Sequence, residues 1–202
     1  MTMPLERRLF TVAEYLAMEE LARDKHEFHE GEILAMSGGT FQASRIAINL
    51  GAVLVSRLRG KPCVPVESNM RVRIGRKLNY VYPDASIVCG PPAFDEDDRK
   101  QTTILNPRVV FEVLSESTEA YDRGRKFSLY REVASLEEYV LLSQAEPLIE
   151  TFRRHSDGNW QITSHRGIEA IAPLASVRIE LPLAEVYAGI EFPPPAAEPS
   201  GD

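Results

Sequence analysis

The sequence predicts an α/β domain: a mixed central β-sheet flanked by helices, with a helix and a β-hairpin at the N-terminal end. Three observations carry that reading. Apolar residues recur every three or four positions at Ile46, Leu50, Val53, Leu54 and Leu58, the period of a helix buried along one face. Two runs, Asp84-Ala-Ser-Ile-Val-Cys89 and Arg108-Val-Val-Phe-Glu-Val-Leu114, are rich in β-branched residues, and the second reads as a central strand covered on both faces. The chain has 202 residues, 44% hydrophobic and 26% charged, which suits one compact domain with its own core.

The elements follow in order. Thr11-Val-Ala-Glu14 has the pattern of a capping box, and Tyr15, Leu16 and Leu21 follow at helical spacing, so residues 11–22 form a short helix. The stretch 26–36 alternates on both sides of Glu30-Gly31, as a β-hairpin does. After Gly38-Gly39 the longer helix runs through about Arg59. Strands are expected at 63–67, 69–74, 84–89 and 108–114, with 90–106 a loop rich in proline and acids. A helix from Asp122 to about Val133 precedes strands at 139–142, 148–154 and 160–164; Ser156-Asp157-Gly158-Asn159 is a turn, and 183–187 a last short helix. Trp160, just after that turn, is a packing residue. Residues 1–192 make the domain, and 193–202, poor in apolar anchors, a disordered proline-rich tail.

Composition narrows the function. No apolar run approaches the ~18 residues of a membrane span, and the N-terminus has no apolar stretch after its charges, which argues against a secretory signal. Cys63 and Cys89 lack zinc-site spacing; they read as buried free thiols in a reducing cytoplasm. The net charge of −7 argues against a bulk electrostatic nucleic-acid binder. Basic residues cluster locally, however, at Arg57, Arg59, Lys61, Arg71, Arg73, Arg76 and Lys77, and again at Arg123, Arg125, Lys126 and Arg131, which leaves room for a local basic surface.

The chemistry concentrates between Tyr82 and Tyr130. Asp84 opens one strand directly after Pro83, and Glu112 lies inside another whose neighbours are all apolar. An ionised glutamate there is costly unless something compensates it. A divalent cation shared by the two carboxylates does so, and hard oxygen ligands suit Mg²⁺ or Mn²⁺. The competing readings are a solvent-facing Glu112 on an edge strand, or a pair with Arg108 or Arg125. Lys126 and Tyr130 are four apart on one helix face. A lysine beside a bound phosphate orients water and offsets developing charge, although an isolated helix lysine is ordinarily solvated. Other candidates read as ordinary structure. Asp95-Glu-Asp-Asp98 reads as a solvated acidic loop, His26 and His29 as exposed strand residues, and Ser115 and Ser117 lack a histidine partner or nucleophile-elbow glycines. No phosphate-binding P-loop pattern occurs.

The segments "YPDASIVCG", "NPRVVFEVLSEST" and "YDRGRKFSLYREVASLEEYVLL", with "EFHEGEILAMSGGT" and "RIAINLGAVLVSRL" before them, resemble the Uma-two family of endonucleases, within the PD-(D/E)xK restriction-endonuclease-like superfamily. The resemblance spans roughly residues 9–190. It implies a restriction-endonuclease-like fold and a metal-dependent endonuclease hydrolysing nucleic-acid phosphodiesters, DNA foremost. The alternative is an inactive module that keeps the fold and binds nucleic acid or protein. By resemblance, Asp84 matches the P-D aspartate and Glu112 the acid of the E-x-K strand; the lysine position two further on is Leu114, and Lys126 on the next helix matches the displaced basic residue. Where relatives have a histidine at the start of the long helix, the closest position here is Ala43. The expected metal set is Asp84, Glu112 and the Val113 carbonyl, with Glu32 as an additional carboxylate, though for Glu32, as for Glu30, an exposed or turn role competes. Arg125, Tyr130 and Gln144 are expected as supporting or phosphate contacts. Class also implies a homodimer, with the hairpin or the strands over 148–164 as its interface.

Overall fold

The computed structural model describes residues 8–36, 38–75 and 78–192. The tail expected over 193–202, and Arg76 and Lys77 of the first basic cluster, lie outside the described residues.

Thr11 starts helix α1 (Val12–Leu21): its hydroxyl accepts from the Glu14 amide at 3.2 Å, and the Glu14 carboxylate accepts from the Thr11 amide at 2.8 Å. The helix buries Tyr15 against Phe28 and Tyr80, with ring centroids 5.1 and 5.5 Å away. The hairpin pairs β1 (His26–His29) with β2 (Glu32–Ala35) through Glu30 and Gly31, at φ 50° and 101°. Two left-handed residues in a two-residue loop match the twist of the strands they join. Helix α2 (Phe41–Leu58) begins well before its first buried residue, Ile46, because the Thr40 hydroxyl accepts from the Ala43 amide and caps an exposed first turn that no apolar pattern marks.

The remaining strands are β3 (Cys63–Glu67), β4 (Arg71–Ile74), β5 (Asn79–Val81), β6 (Ala85–Cys89), β7 (Thr103–Ile104), β8 (Pro107–Val113), β9 (Glu138–Leu142), β10 (Leu148–Arg154), β11 (Trp160–Arg166), β12 (Ile171–Leu174) and β13 (Ile179–Pro182). They divide between two mixed sheets and a hairpin. The larger sheet has the order β11-β10-β9-β8-β6-β3, with β8 and β9 parallel; the second has the order β2-β1-β5-β4-β7, with β4 and β7 parallel. Strands β12 and β13 pair with each other. The α/β class therefore stands, with two sheets sharing what the sequence suggests is one.

Alternation along β8 sets the layers. Val109, Phe111 and Val113 face the core built with α2, β12, β13 and α5 (Leu183–Val186), whereas Val110 and Leu114 face a second core shared with Val72, Ile74 and Val81 of the smaller sheet. Each such side chain fully buried contributes about 1.5–3 kcal/mol. Glu112 lies between Val110 and Leu114, so it points into the junction of the two sheets. Between β8 and β9 the chain forms α3 (Glu119–Tyr121), a π-helical turn (Asp122–Lys126) and α4 (Phe127–Tyr130), in place of one regular helix to Val133. Trp160 packs edge-on to Phe127 at 5.2 Å, under the Arg154 guanidinium.

Several sequence readings need correction. Cys63 and Cys89 face each other in the β3–β6 register and form a disulfide, so they are not free thiols, and the bond weighs against the reducing setting they suggested. Asp95 and Asp98 are only 2% and 8% exposed: Asp98 pairs with Arg71 at 2.9 Å, and Asp95 with Arg73 at 2.9 Å and the Tyr80 hydroxyl at 2.7 Å. The acidic loop is a clasp on the sheet, and it removes two arginines from the expected basic surface. Among the described residues no helix is long and apolar enough to cross a membrane.

Candidate active site

Asp84 sits where β6 begins, its amide donating to the Phe111 carbonyl at 3.0 Å. The Val113 amide donates to Asp84 Oδ2 at 2.6 Å, so strand pairing itself aims this carboxylate across β8. From β8, Glu112 Oε1 accepts from the Tyr130 hydroxyl at 3.2 Å and from Lys126 Nζ at 2.9 Å. The π-helical turn brings Lys126 in with Asp122, whose Oδ1 lies 3.7 Å from Nζ. The Tyr139 hydroxyl donates to the Asp122 carbonyl at 3.1 Å and ties that turn to β9. π-Helical turns recur at functional sites because the extra residue re-aims side chains that a regular helix would spread.

The second sheet closes the cluster. Its β1 alternates Phe28 toward α1 and Glu27 and His29 toward the junction. Glu27 Oε1 is 3.3 Å from Lys126 Nζ and accepts from the Tyr82 amide at 3.3 Å, while Oε2 lies 3.0 Å from His29 Nε2. Glu112, Lys126, Glu27 and His29 are 4, 5, 7 and 2% exposed, and Asp84 alone among the site's acids is half-buried.

Electrostatics follow from this burial. Burial drives the Glu112 carboxyl well above the ordinary range; Lys126 opposes it, while the charges of Asp84 and Asp122 add to it. Burial likewise raises Asp84, against the Val113 hydrogen bond, and Asp122, against Lys126. Glu27 is held low despite its burial, by the Lys126 charge and the His29 contact. Lys126 is held firmly protonated, because Glu112, Glu27 and Asp122 outweigh its burial. Three carboxylates, of Glu112, Glu27 and Asp122, thus surround one ammonium, and the Asp84 charge acts on Glu112 beside them. That excess of hard anionic oxygen is what a divalent cation neutralises. Among the described residues no three His, Cys, Asp or Glu side chains are spaced to hold a metal by themselves. Mg²⁺ commonly binds through only one or two carboxylates, waters and substrate phosphate, so Asp84 and Glu112 fit it.

The structure brings Asp84, Glu112, Lys126 and Tyr130 together. Tyr130 is fully buried, so it holds Glu112 and is out of substrate's reach. Gln144 uses its amide on the frame: Nε2 donates to the Leu114 carbonyl at 2.6 Å, and Oε1 accepts from Thr40 Oγ1 at 2.5 Å, tying the α2 start to the end of β8. Arg125 is exposed on the π-helical turn. Arg108 pairs with Glu137, which removes it as a partner for Glu112. Glu32 is half-buried opposite His29 in the hairpin register. Glu27 has no place in the sequence reading, Asp122 enters it only as a helix start, and His29 is buried where the sequence suggests exposure. Glu27 and His29 flank Phe28 with strand alternation, which puts both polar groups on the face opposite the aromatic one; that was the available signal.

A two-sheet α/β frame with strand-borne acids meeting a lysine at its core defines the class, a protein of restriction-endonuclease-like architecture. The model of the Uma2 family, described as "Putative restriction endonuclease", matches residues 12–184, and the chain belongs to that family. Two uncharacterized proteins of Synechocystis sp. are similar along most of their length: slr1290 is 37% identical over 180 residues, covering 89% of this chain and 92% of its own, and sll1609 is 32% identical over 172 residues, covering 85% and 96%. The crystal structure of a "putative nuclease belonging to DUF820" from Anabaena variabilis superposes with a TM-score of 0.70 over 88% of this chain and 97% of its own. At 16% identity that likeness speaks to the fold. The family assignment supports nuclease function.

Proposed function

We infer that this chain is a divalent-cation-dependent endonuclease that hydrolyses phosphodiester bonds in nucleic acid, with DNA as the foremost substrate. The observation that carries the reading is the buried Glu112–Lys126 pair set beside the half-buried Asp84, in a family described as "Putative restriction endonuclease". Mg²⁺ or Mn²⁺ held by Asp84, Glu112 and the Val113 carbonyl would supply Lewis-acid activation of the phosphate and of water. The protein's own residues do the rest. The Val113 amide fixes the Asp84 carboxylate, and Tyr130 fixes that of Glu112. Lys126 places a permanent positive charge where the phosphate gains negative charge in the transition state. Hydrolysis adds water across one P–O bond and leaves a phosphate end and a hydroxyl end. Arg125, exposed on the π-helical turn, would meet a flanking phosphate, and Glu32, opposite His29 in the hairpin register, would be the additional carboxylate. A homodimer would set two such sites on the two strands of a duplex.

The test is cleavage of supercoiled plasmid, single-stranded DNA and RNA by wild type in Mg²⁺, Mn²⁺ or EDTA, beside Asp84→Asn. Cutting that needs the cation and is lost in the variant is the expected result. Cation-independent cutting, or cutting retained by Asp84→Asn, would overturn the assignment of the site.

A further inference from the structure

Glu27 and His29 reach the cluster from β1, on the sheet opposite Asp84 and Glu112, and neither takes part in the hydrolysis as proposed. Their placement is nonetheless specific. Lys126 Nζ is divided between Glu112 Oε1 at 2.9 Å on one wall and Glu27 Oε1 at 3.3 Å on the other, with Asp122 farther off at 3.7 Å. Glu112 has a second demand on it: a cation bound to its carboxylate would draw on the same negative charge and repel the ammonium. Glu27 stands on the far wall, and its carboxylate is fixed in turn. The Tyr82 amide donates to Oε1, and His29 Nε2 lies 3.0 Å from Oε2. The Tyr121 hydroxyl lies 3.1 Å from the same Nε2, and its ring packs edge to face on the imidazole.

We propose that Glu27 is a positioning residue: from the wall opposite the metal ligands it holds the Lys126 ammonium in the site when a cation occupies Glu112, with His29 and Tyr121 fixing its carboxylate. The catalytic consequence rests on the nuclease reading above; the contact itself does not.

Wild type, Glu27→Gln and Glu27→Asp are compared in three readouts. These are cleavage kinetics in Mg²⁺, Mn²⁺ affinity by calorimetry, and the rate of Lys126 acetylation by acetic anhydride, followed by peptide mass spectrometry with and without Mn²⁺. Glu27→Gln is expected to lose about 10- to 100-fold in kcat with KM little changed. It should bind Mn²⁺ as wild type does, and Lys126 should acetylate faster than in wild type once Mn²⁺ is present. Glu27→Asp keeps the charge at a shorter reach and should fall between. Equal labelling of Lys126 in wild type and Glu27→Gln under Mn²⁺ would overturn the proposal, and so would lost Mn²⁺ affinity, which would make Glu27 a ligand. If wild type cuts no nucleic acid, the nuclease reading fails alone, and the labelling rates still decide the role of Glu27. Should Glu27→Gln not fold by circular dichroism, Glu27→Asp and Tyr121→Phe carry the same comparison.

Discussion

Asp98 shows how far a single buried charge can be held from its ordinary behaviour. Burial works to raise its carboxyl, but hydrogen bonds from Thr103 and Thr102, then the Arg71 guanidinium, outweigh it and keep the pKa low. A carboxyl lowered on folding stabilises the protein above its unfolded pKa, and that stability is lost as pH falls through the folded value. Asp98→Asn should therefore flatten the acid limb of stability between about pH 5 and pH 2, measured by urea unfolding across that range. At neutral pH it should cost about 3–5 kcal/mol, because Arg71, with a side chain only 5% exposed, loses its ion partner. An acid limb and a neutral stability unchanged from wild type would show the clasp to be ornamental. Asp84, Glu112 and Asp122 carry the opposite sign: their carboxyls are raised, so their burial weighs against folding as pH rises.

Among the elements, those with a strong local signature are the ones the sequence reveals. Helix α1 is an example, since Thr11 and Glu14 satisfy each other's backbone amides. Thr11→Ala should cost about 1 kcal/mol, read as a shift in the urea midpoint with an unchanged slope. No shift would mean that α1 is held by Tyr15 packing alone. The hairpin, α2, β6 and β8 were legible for similar reasons of pattern and turn chemistry. Strands β5 and β7 were not: three residues and two residues are too short to show a period. Strand β12 hides behind Pro173, and the π-helical turn behind the spacing of Asp122, Lys126 and Tyr130, which a regular helix would produce equally well.

At the scale of the whole molecule, the site exists because two sheets meet. The larger sheet brings Asp84 and Glu112 on neighbouring strands, the π-helical turn brings Lys126, and the smaller sheet supplies Glu27 and His29. Asp84, Glu112 and Lys126 could be singled out in sequence because each stands out locally: an acid after proline, an acid in an apolar strand, and a helix lysine in the right order. For Glu27 the alternation around Phe28 shows only that it shares a strand face with His29; which sheet that face meets no local pattern encodes. The same limit explains the disulfide, where only the β3–β6 register shows that Cys63 and Cys89 oppose each other. The central claim is that these pieces form a cation-dependent phosphodiesterase centre, and nicking of supercoiled plasmid in Mg²⁺ by wild type beside Glu112→Gln tests it most directly. The account predicts nicking by wild type that EDTA abolishes and that falls at least about 100-fold in a folded Glu112→Gln. Equal nicking by the two proteins would contradict it.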